Sequence, residues 1–311
     1  RYLTGAAYLM AMSHARARTV ATFLLVTLAA VWGSTFFLIR DLVQTVPPAD
    51  FLAVRFTLAA VLMVVIFWRQ LRGLSRRDWL VSAALGSLYG FAQILQTIGL
   101  AHTDASVSGF VTGTYVVLTP VFTALLLRER VPASTWYAVL LATAGLALLS
   151  LNGFSVGLGE GLTLGAAALY ALHIVGLGRL STPDRATGMS AVQMIAIAVI
   201  CVVAAVPDGM VWPSGLGQWG SVVYMATAAG VLALWAQTWG QAHMSATRAA
   251  IVMTLEPVFA AGFAVAFGGE VLTWRMLVGG ALVLTAMYTV ELIGRRPDAP
   301  NRPAEALHHE V

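Results

Sequence analysis

The sequence predicts an all-α integral membrane protein, with ten transmembrane helices arranged as two inverted five-helix repeats around a central cavity. Three observations predict it. The chain of 311 residues is 59% hydrophobic and 10% charged, with a mean hydropathy of +0.82, whereas a soluble domain carries about 25% charged residues. Apolar runs of about 20 residues, enough to cross a ~30 Å hydrocarbon core, recur at regular intervals. One stretch also appears twice: Gln96-Thr97-Ile98-Gly99-Leu100-Ala101-His102 returns as Gln237-Thr238-Trp239-Gly240-Gln241-Ala242-His243. Each copy runs on into Pro-Val-Phe (Pro120-Val121-Phe122, Pro257-Val258-Phe259) and then a glutamate, Glu129 or Glu270, at equal spacing from the histidine.

Residues 1–19 read as an N-terminal cytoplasmic tail ending in Arg16 and Arg18, with Met12-Ser13 a candidate start. Charge followed by an apolar run resembles a signal peptide, but Val20–Ile39 is long enough to span and has a later counterpart, so it is helix 1. Pro, Gly, Asp and Arg punctuate the runs that follow. Pro47, Pro48 and Asp50 introduce helix 2 (Phe51–Trp68), and the arginines up to Arg77 separate it from helix 3 (Trp79–Leu100). Helix 4 (Ala105–Leu127) follows Asp104, and helix 5 (Ser134–Leu151) follows Pro132. Helix 6 (Gly159–Gly178) opens after glycines, and Pro183 and Arg185 lead into helix 7 (Thr187–Val206). Helices 8 (Gly217–Trp239), 9 (Ala246–Phe267) and 10 (Leu272–Ile293) complete the set. The first repeat is then 20–151 and the second 152–293; residues 294–311, with Pro297, Pro300 and Pro303 among charges, read as a disordered cytoplasmic tail.

Five helices per unit is an odd number, so the second copy enters the membrane upside down. Inverted repeats place a site near the midplane between the halves, and rocking one half against the other opens it to alternate sides. Arginine placement orients the chain with both termini cytoplasmic: Arg69, Arg72, Arg76, Arg77, Arg179 and Arg185 fall on one side, and only Arg40, Arg55 and Arg275 on the other. The net charge of +4 is distributed in short clusters between apolar runs, a topology signal that argues against a nucleic-acid partner. The single cysteine, Cys201, permits no intrachain disulfide or CxxC pair.

Candidate cavity residues are polar or aromatic groups on one face of an apolar helix. Glu256, before Pro257, is costly inside a bilayer unless it faces a cavity or partner or takes up a proton, which makes it the proton-coupling candidate. Tyr89, Gln93 and Gln96 fall at i, i+4 and i+7, a single stripe that needs partners or water. Trp32 in helix 1 corresponds across the repeat to Tyr170 in helix 6, and His173 lies one turn beyond Tyr170. Tyr115, with Thr112 and Thr119, offers hydroxyls in helix 4, and Trp235 and Trp239 offer an aromatic pair in helix 8, Trp235 the deeper. Gln237 and Gln241 fall on another side of that helix. Arg55 reads as structural, paired with Asp50 or Asp41 or reaching to the interface. Gly86/Gly90, Gly109/Gly113 and Gly161/Gly165 are small-xxx-small pairs suited to close helix crossings. His102 and His243 have no second ligand at useful spacing, so neither metal nor cofactor is expected. Gly153-Phe154-Ser155-Val156-Gly157 matches GxSxG, but in a short loop between membrane helices it is a coincidence of composition, and no enzyme activity is expected.

Trp32-Gly33-Ser34-Thr35-Phe36, the Thr103-Asp104-Ala105-Ser106 entry to helix 4, Tyr115 through Phe122, and Leu255-Glu256-Pro257-Val258-Phe259 resemble the drug/metabolite transporter superfamily, EamA type. The resemblance covers residues 20–293 and implies ten helices in two inverted repeats, a central cavity lined by helices 1, 3, 4, 6, 8 and 9, and export or facilitated passage of amino acids or other small metabolites. The chain departs from its own symmetry at one point, because Thr119 stands before the first proline where the second half has Glu256.

Together these readings predict a multi-pass secondary transporter of the bacterial inner membrane, monomeric or homodimeric, whose partners are the lipid bilayer and a small solute. Aromatic walls with few charges favour neutral, zwitterionic or mildly cationic amphipathic solutes, and a scarcity of arginines in the helix interiors disfavours polyanions. A flippase for a lipid-linked head group and an intramembrane enzyme are the alternatives.

Overall fold

A computed structural model of the chain describes residues 5–127, 133–152, 155–243, 249, 252–253 and 255–293. Among them the backbone is helical apart from loops and one short antiparallel ladder, which pairs Leu151 with Val156 and Asn152 with Ser155. The first helix, α1 (Gly5–Leu42), runs back well beyond Val20, so much of the expected tail is helical. The expected tail at 294–311 lies outside the described residues.

Local chemistry explains the helix ends. Pro48 opens α2 (Pro48–Arg72), where its fixed φ suits a helix start and its missing N–H costs nothing. Ser75 caps α3 (Arg76–Leu100) reciprocally: its hydroxyl accepts from the Asp78 N–H, and Asp78 accepts from the Ser75 N–H at 3.0 Å. The Ser75 bonds, with Arg185 at 3.1 Å as a further contributor, hold the Asp78 carboxyl below the usual carboxylate range.

The expected fourth span is two pieces, α4 (Ala105–Gly113) and α5 (Tyr115–Leu127), interrupted at Thr114, whose hydroxyl donates to the Val111 carbonyl at 2.6 Å. Then come α6 (Ala133–Ser150), α7 (Leu158–Leu180) and α8 (Ala186–Ala205). The expected eighth span is α9 (Gly215–Ala226) and α10 (Ala233–His243), joined by a π-helical turn at Thr227–Leu232. Of the expected ninth span, α11 (Glu256–Ala266) is described, and part of its first half lies outside the described residues. The last helix is α12 (Trp274–Ile293). Among the described residues six helical stretches are long and apolar enough to cross a membrane, and Trp136–Gly145 and Glu256–Ala266 are shorter apolar helices.

The packing pairs one part of the chain with the other. Helix α2 lies along α8, α6 along α12, and α4 across α11. The first helix, α1, packs on α10 and α11, while α7 packs on α3, α4 and α5. Small residues sit where backbones meet. A Cβ on Gly99 would lie 2.5 Å from Thr163 Oγ1 and 2.8 Å from the Gly159 carbonyl, and one on Gly240 would lie 3.3 Å from a Leu25 methyl. These two glycines are the fourth residues of the duplicated stretch, and each marks a contact with the first helix of the other part. Gly86 meets the Gln193 backbone, Gly109 meets Ala260, and Gly113 meets Pro257 and Met287, so two of the expected small-residue pairs stand at crossings. The third does not: Gly161 has nothing within 4 Å of its Cβ position, and Gly165 has only a Leu95 methyl at 3.5 Å.

Gly269, at φ 69°, takes the left-handed backbone that L side chains disfavour, and this turn precedes Glu270. Glu270 reaches back to the start of α4, where it accepts from the Ala105 N–H at 2.7 Å and the Ser106 N–H at 3.3 Å. Arg40, at the end of α1, bridges Glu270 at 3.3 Å and Asp104 at 2.8 Å. Three chain segments are therefore tied at one end of the bundle, by a carboxylate placed at a helix N-terminus.

Candidate functional site

A cavity opens between these paired helices. Nine of the candidate cavity residues line it: Trp32, Tyr89, Gln93, Gln96, Thr112, Tyr115, Tyr170, His173 and Glu256. Helical spacing brings the α3 stripe to one wall, because Tyr89, Gln93 and Gln96 share a face. The α7 pair, Tyr170 and His173, faces it: the Tyr89 ring sits edge-on to both, at centroid distances of 5.2 Å. Trp32 closes the group from α1, 6.4 Å from Tyr89.

These polar groups satisfy one another. Gln93 donates through Nε2 to Tyr170 Oη and, at 3.4 Å, to Gln96 Oε1. Tyr170 donates to Gln96 Oε1 at 2.9 Å, and Gln96 Nε2 donates to Thr112 Oγ1 at 2.9 Å. His173 Nε2 pairs with Gln193 Oε1 at 2.8 Å; since that oxygen only accepts, Nε2 carries the proton and Nδ1 is a bare acceptor with no partner.

Glu256 is the first residue of α11 and is followed at once by Pro257; its carboxyl is buried, and helical residues at 252–253 precede it. Tyr115 Oη lies 3.0 Å from Glu256 Oε2 and 3.2 Å from the Met253 carbonyl. One phenolic proton serves one of these acceptors at a time. If Glu256 is a carboxylate, Tyr115 donates to it. If Glu256 is protonated, its own O–H donates to Tyr115 Oη, which turns its proton to Met253. Both protonation states are therefore hydrogen-bonded without moving a heavy atom.

The π turn and the end of α9 supply one anchor each. In the π turn hydrogen bonds span one residue more than in an α-helix, which frees carbonyls for side chains. Trp32 Nε1 donates to the Ala229 carbonyl at 3.0 Å, and Arg55 Nε to the Met225 carbonyl at 3.4 Å.

Trp235 and Trp239 do not line the cavity. The extra residue of the π turn rotates everything beyond it by about 100° relative to a regular helix, and depth alone does not fix which way a side chain faces. Trp235 points to α8, where Nε1 donates to Thr187 Oγ1 at 3.1 Å, and Trp239 stacks on it at 6.2 Å. Gln237 lines the cavity in their place. Its repeat partner is Gln96, so the duplication held a signal that the helix-face reading missed.

Arg55 differs most from expectation. It is 2% exposed, lines the cavity and bridges neither Asp50 nor Asp41. Asp50 instead accepts from the Val211 N–H at 2.9 Å. The interior therefore holds a buried arginine, which corrects the expectation that Arg55 pairs with an aspartate or reaches to the interface. Among the described residues no group of three His, Cys, Asp or Glu side chains comes together as a metal site.

Comparison with known proteins gives one consistent picture. The family described as the EamA-like transporter family matches residues 19–151 and again 157–292. An uncharacterized transporter of Archaeoglobus fulgidus is 30% identical over 269 residues, 86% of this chain and 84% of its own. The pseudopaline exporter CntI of Pseudomonas aeruginosa is 27% identical over 275 residues, 84% and 93% of the two chains. The inner membrane transporter YedA of Escherichia coli K12 is 27% identical over 278 residues, 86% and 89%. One solved crystal structure matches with a TM-score of 0.68 at 20% identity, covering 90% of this chain and 99% of the other, a likeness of fold alone.

Proposed function

Because the chain belongs to the EamA-like transporter family, we propose that it is a secondary transporter, an exporter or facilitator, carrying small organic metabolites such as amino acids or amphipathic drugs across the bacterial inner membrane by alternating access. The observation that carries this reading is the cavity itself: its walls come from helices in both matched segments, so relative movement of the two would change its exposure.

The architecture follows as ten spans in two inverted halves, with α4 and α5 forming one span and α9 through α10 another. The packing supports it. Exchanging each span for its repeat counterpart turns the α1–α10 contact into α7–α3 and the α1–α11 contact into α7–α4, while α2–α8, α6–α12 and α4–α11 map onto themselves. Both termini are cytoplasmic by arginine placement, and the name of YedA agrees with an inner-membrane location. The name of CntI favours export.

Glu256 is the proton-coupling residue in this reading, supported by the two hydrogen-bonded states that Tyr115 and Met253 offer it. The test is uptake of a labelled amino-acid mixture into liposomes holding wild type or Glu256→Gln, with and without a pH gradient. The gradient should accelerate wild type and leave the variant unchanged. Uptake by both that ignores the gradient would make the protein a facilitator and Glu256 structural, and no uptake above protein-free liposomes would overturn the transport reading.

A further inference from the structure

Arg55 is buried, yet among the described residues no carboxylate lies within 4.0 Å of it. Its polar contacts are two long ones, Nε to the Met225 carbonyl at 3.4 Å and Nη1 to Gln93 Oε1 at 3.5 Å. A guanidinium has five N–H donors, so most of its capacity is unused. The rings of Phe51 and Phe56, at 5.8 and 4.7 Å, flank it. A buried cation left without a counter-charge is costly, and inside a membrane such a group marks a place where a ligand or ion completes the site. Across the cavity the same holds for Glu256, whose polar partner is Tyr115 and which likewise has no cation within 4.0 Å. Arg55 stands on α2 and Glu256 opens α11, and both line the cavity with the hydrogen-bonded chain of Gln93, Tyr170, Gln96 and Thr112, which Arg55 meets at Gln93.

We infer that the Arg55 guanidinium is the anion subsite of this cavity and Glu256 its cation subsite, so that the solute is amphoteric, with a single carboxylate held by Arg55. The inference rests on the transport reading above and narrows it. One arginine balances the single charge of a carboxylate and would leave a doubly charged phosphate or a pyrophosphate partly uncompensated. Purely cationic amphiphiles, which the sequence left open, are disfavoured because they would leave Arg55 uncompensated. Trp32, Phe36 and Tyr89 provide apolar wall for the body of the solute.

Three probes of one size separate the charges: L-phenylalanine, 3-phenylpropionate (no amine) and phenethylamine (no carboxylate). Binding to the purified full chain in detergent is read from the rise of the thermal unfolding midpoint with probe concentration. Wild type should bind L-phenylalanine best, 3-phenylpropionate next and phenethylamine least. Arg55→Gln should weaken both carboxylate probes about tenfold or more, and Arg55→Lys, which keeps a charge but not the fork of donors, should fall between. Phenethylamine binding as tightly as L-phenylalanine, or Arg55→Gln keeping its carboxylate affinity, overturns the anion subsite and leaves the transport reading standing. Binding of none of the three overturns it as well, and liposome uptake of the amino-acid mixture then judges transport separately. Should Arg55→Gln fail to fold, the order of the three probes on wild type decides alone.

Discussion

Gly99 and Gly240 occupy the same place in the duplicated stretch, yet alanine should cost very different amounts at the two. A methyl on Gly99 would lie 2.5 Å from Thr163 Oγ1 and 2.8 Å from the Gly159 carbonyl. Ordinary contact begins near 3.4 Å, so about 0.6 Å or more of separation has to be found, and the carbonyl belongs to the backbone of α7, which cannot rotate away. A methyl on Gly240 would meet only the Leu25 side chain, at 3.3 Å and beyond, and a leucine can turn by a few tenths of an ångström. Both substitutions gain about 0.8–1 kcal/mol of intrinsic helix propensity, so that gain cancels in the comparison. Overpacking costs about 1–3 kcal/mol, and that is the expected difference, with Gly99→Ala the less stable. Gly161→Ala, with nothing within 4 Å, serves as the unobstructed control and should match or exceed wild type. Thermal unfolding of the three purified variants in one detergent measures the ranking. Equal midpoints for Gly99→Ala and Gly240→Ala, or a lower one for Gly240→Ala, would refute the reasoning from close approach.

Two further outcomes follow from the bundle's ends. Asp78→Asn keeps one acceptor for the Ser75 N–H but loses the charge that faces Ser75 and Arg185, and should cost up to about 1 kcal/mol at neutral pH. Because its folded pKa is depressed, the Asp78 contribution is present above the ordinary carboxylate pKa and lost as pH falls through the folded value, so wild type and variant should converge below about pH 4 in unfolding midpoints across a pH series. Glu270→Gln keeps one acceptor for the α4 N–H groups but loses the charge, and should cost about 1–2 kcal/mol. In a double-mutant cycle with Arg40→Gln the coupling should stay below about 1 kcal/mol, because the Arg40 side chain is 33% exposed.

How much of this was legible depends on which physical rule fixes each feature. Helical spacing fixes a face, so the Tyr89–Gln93–Gln96 stripe and the Tyr170–His173 pair could be read directly and do meet in one cavity. Duplication fixes equivalence, and its physical cause is visible in Gly99 and Gly240, each touching the other half's first helix. What spacing cannot reveal is a break in the helix that carries it. The π turn at Thr227–Leu232 has no proline and only Gly230 to signal it, and beyond it Trp235 and Trp239 lie outside the cavity lining while Gln237 lies within it. Arg55 was misread for a related reason. Its position early in the second apolar run suggested an interface, but the packing of α2 against α8 and α9 buries it, and that packing is not written in a single helix's sequence. The expected partner, Asp50, was one turn away and satisfied by the Val211 backbone instead.

The exchange of first helices between the halves has a consequence for biosynthesis. α1 makes most of its contacts with α10 and α11, and the bond from Trp32 to Ala229 spans 197 residues. A chain emerging from the ribosome inserts α1 long before those partners exist, so Trp32 and Phe36 must wait in lipid or against provisional neighbours. Contacts this distant along the chain are the slow ones to form. The nascent first half thus holds its opening helix by the lesser contacts alone, with α3 and α4, and maturation is completed from the other end of the message, when the eighth and ninth spans arrive and complete the surroundings of α1.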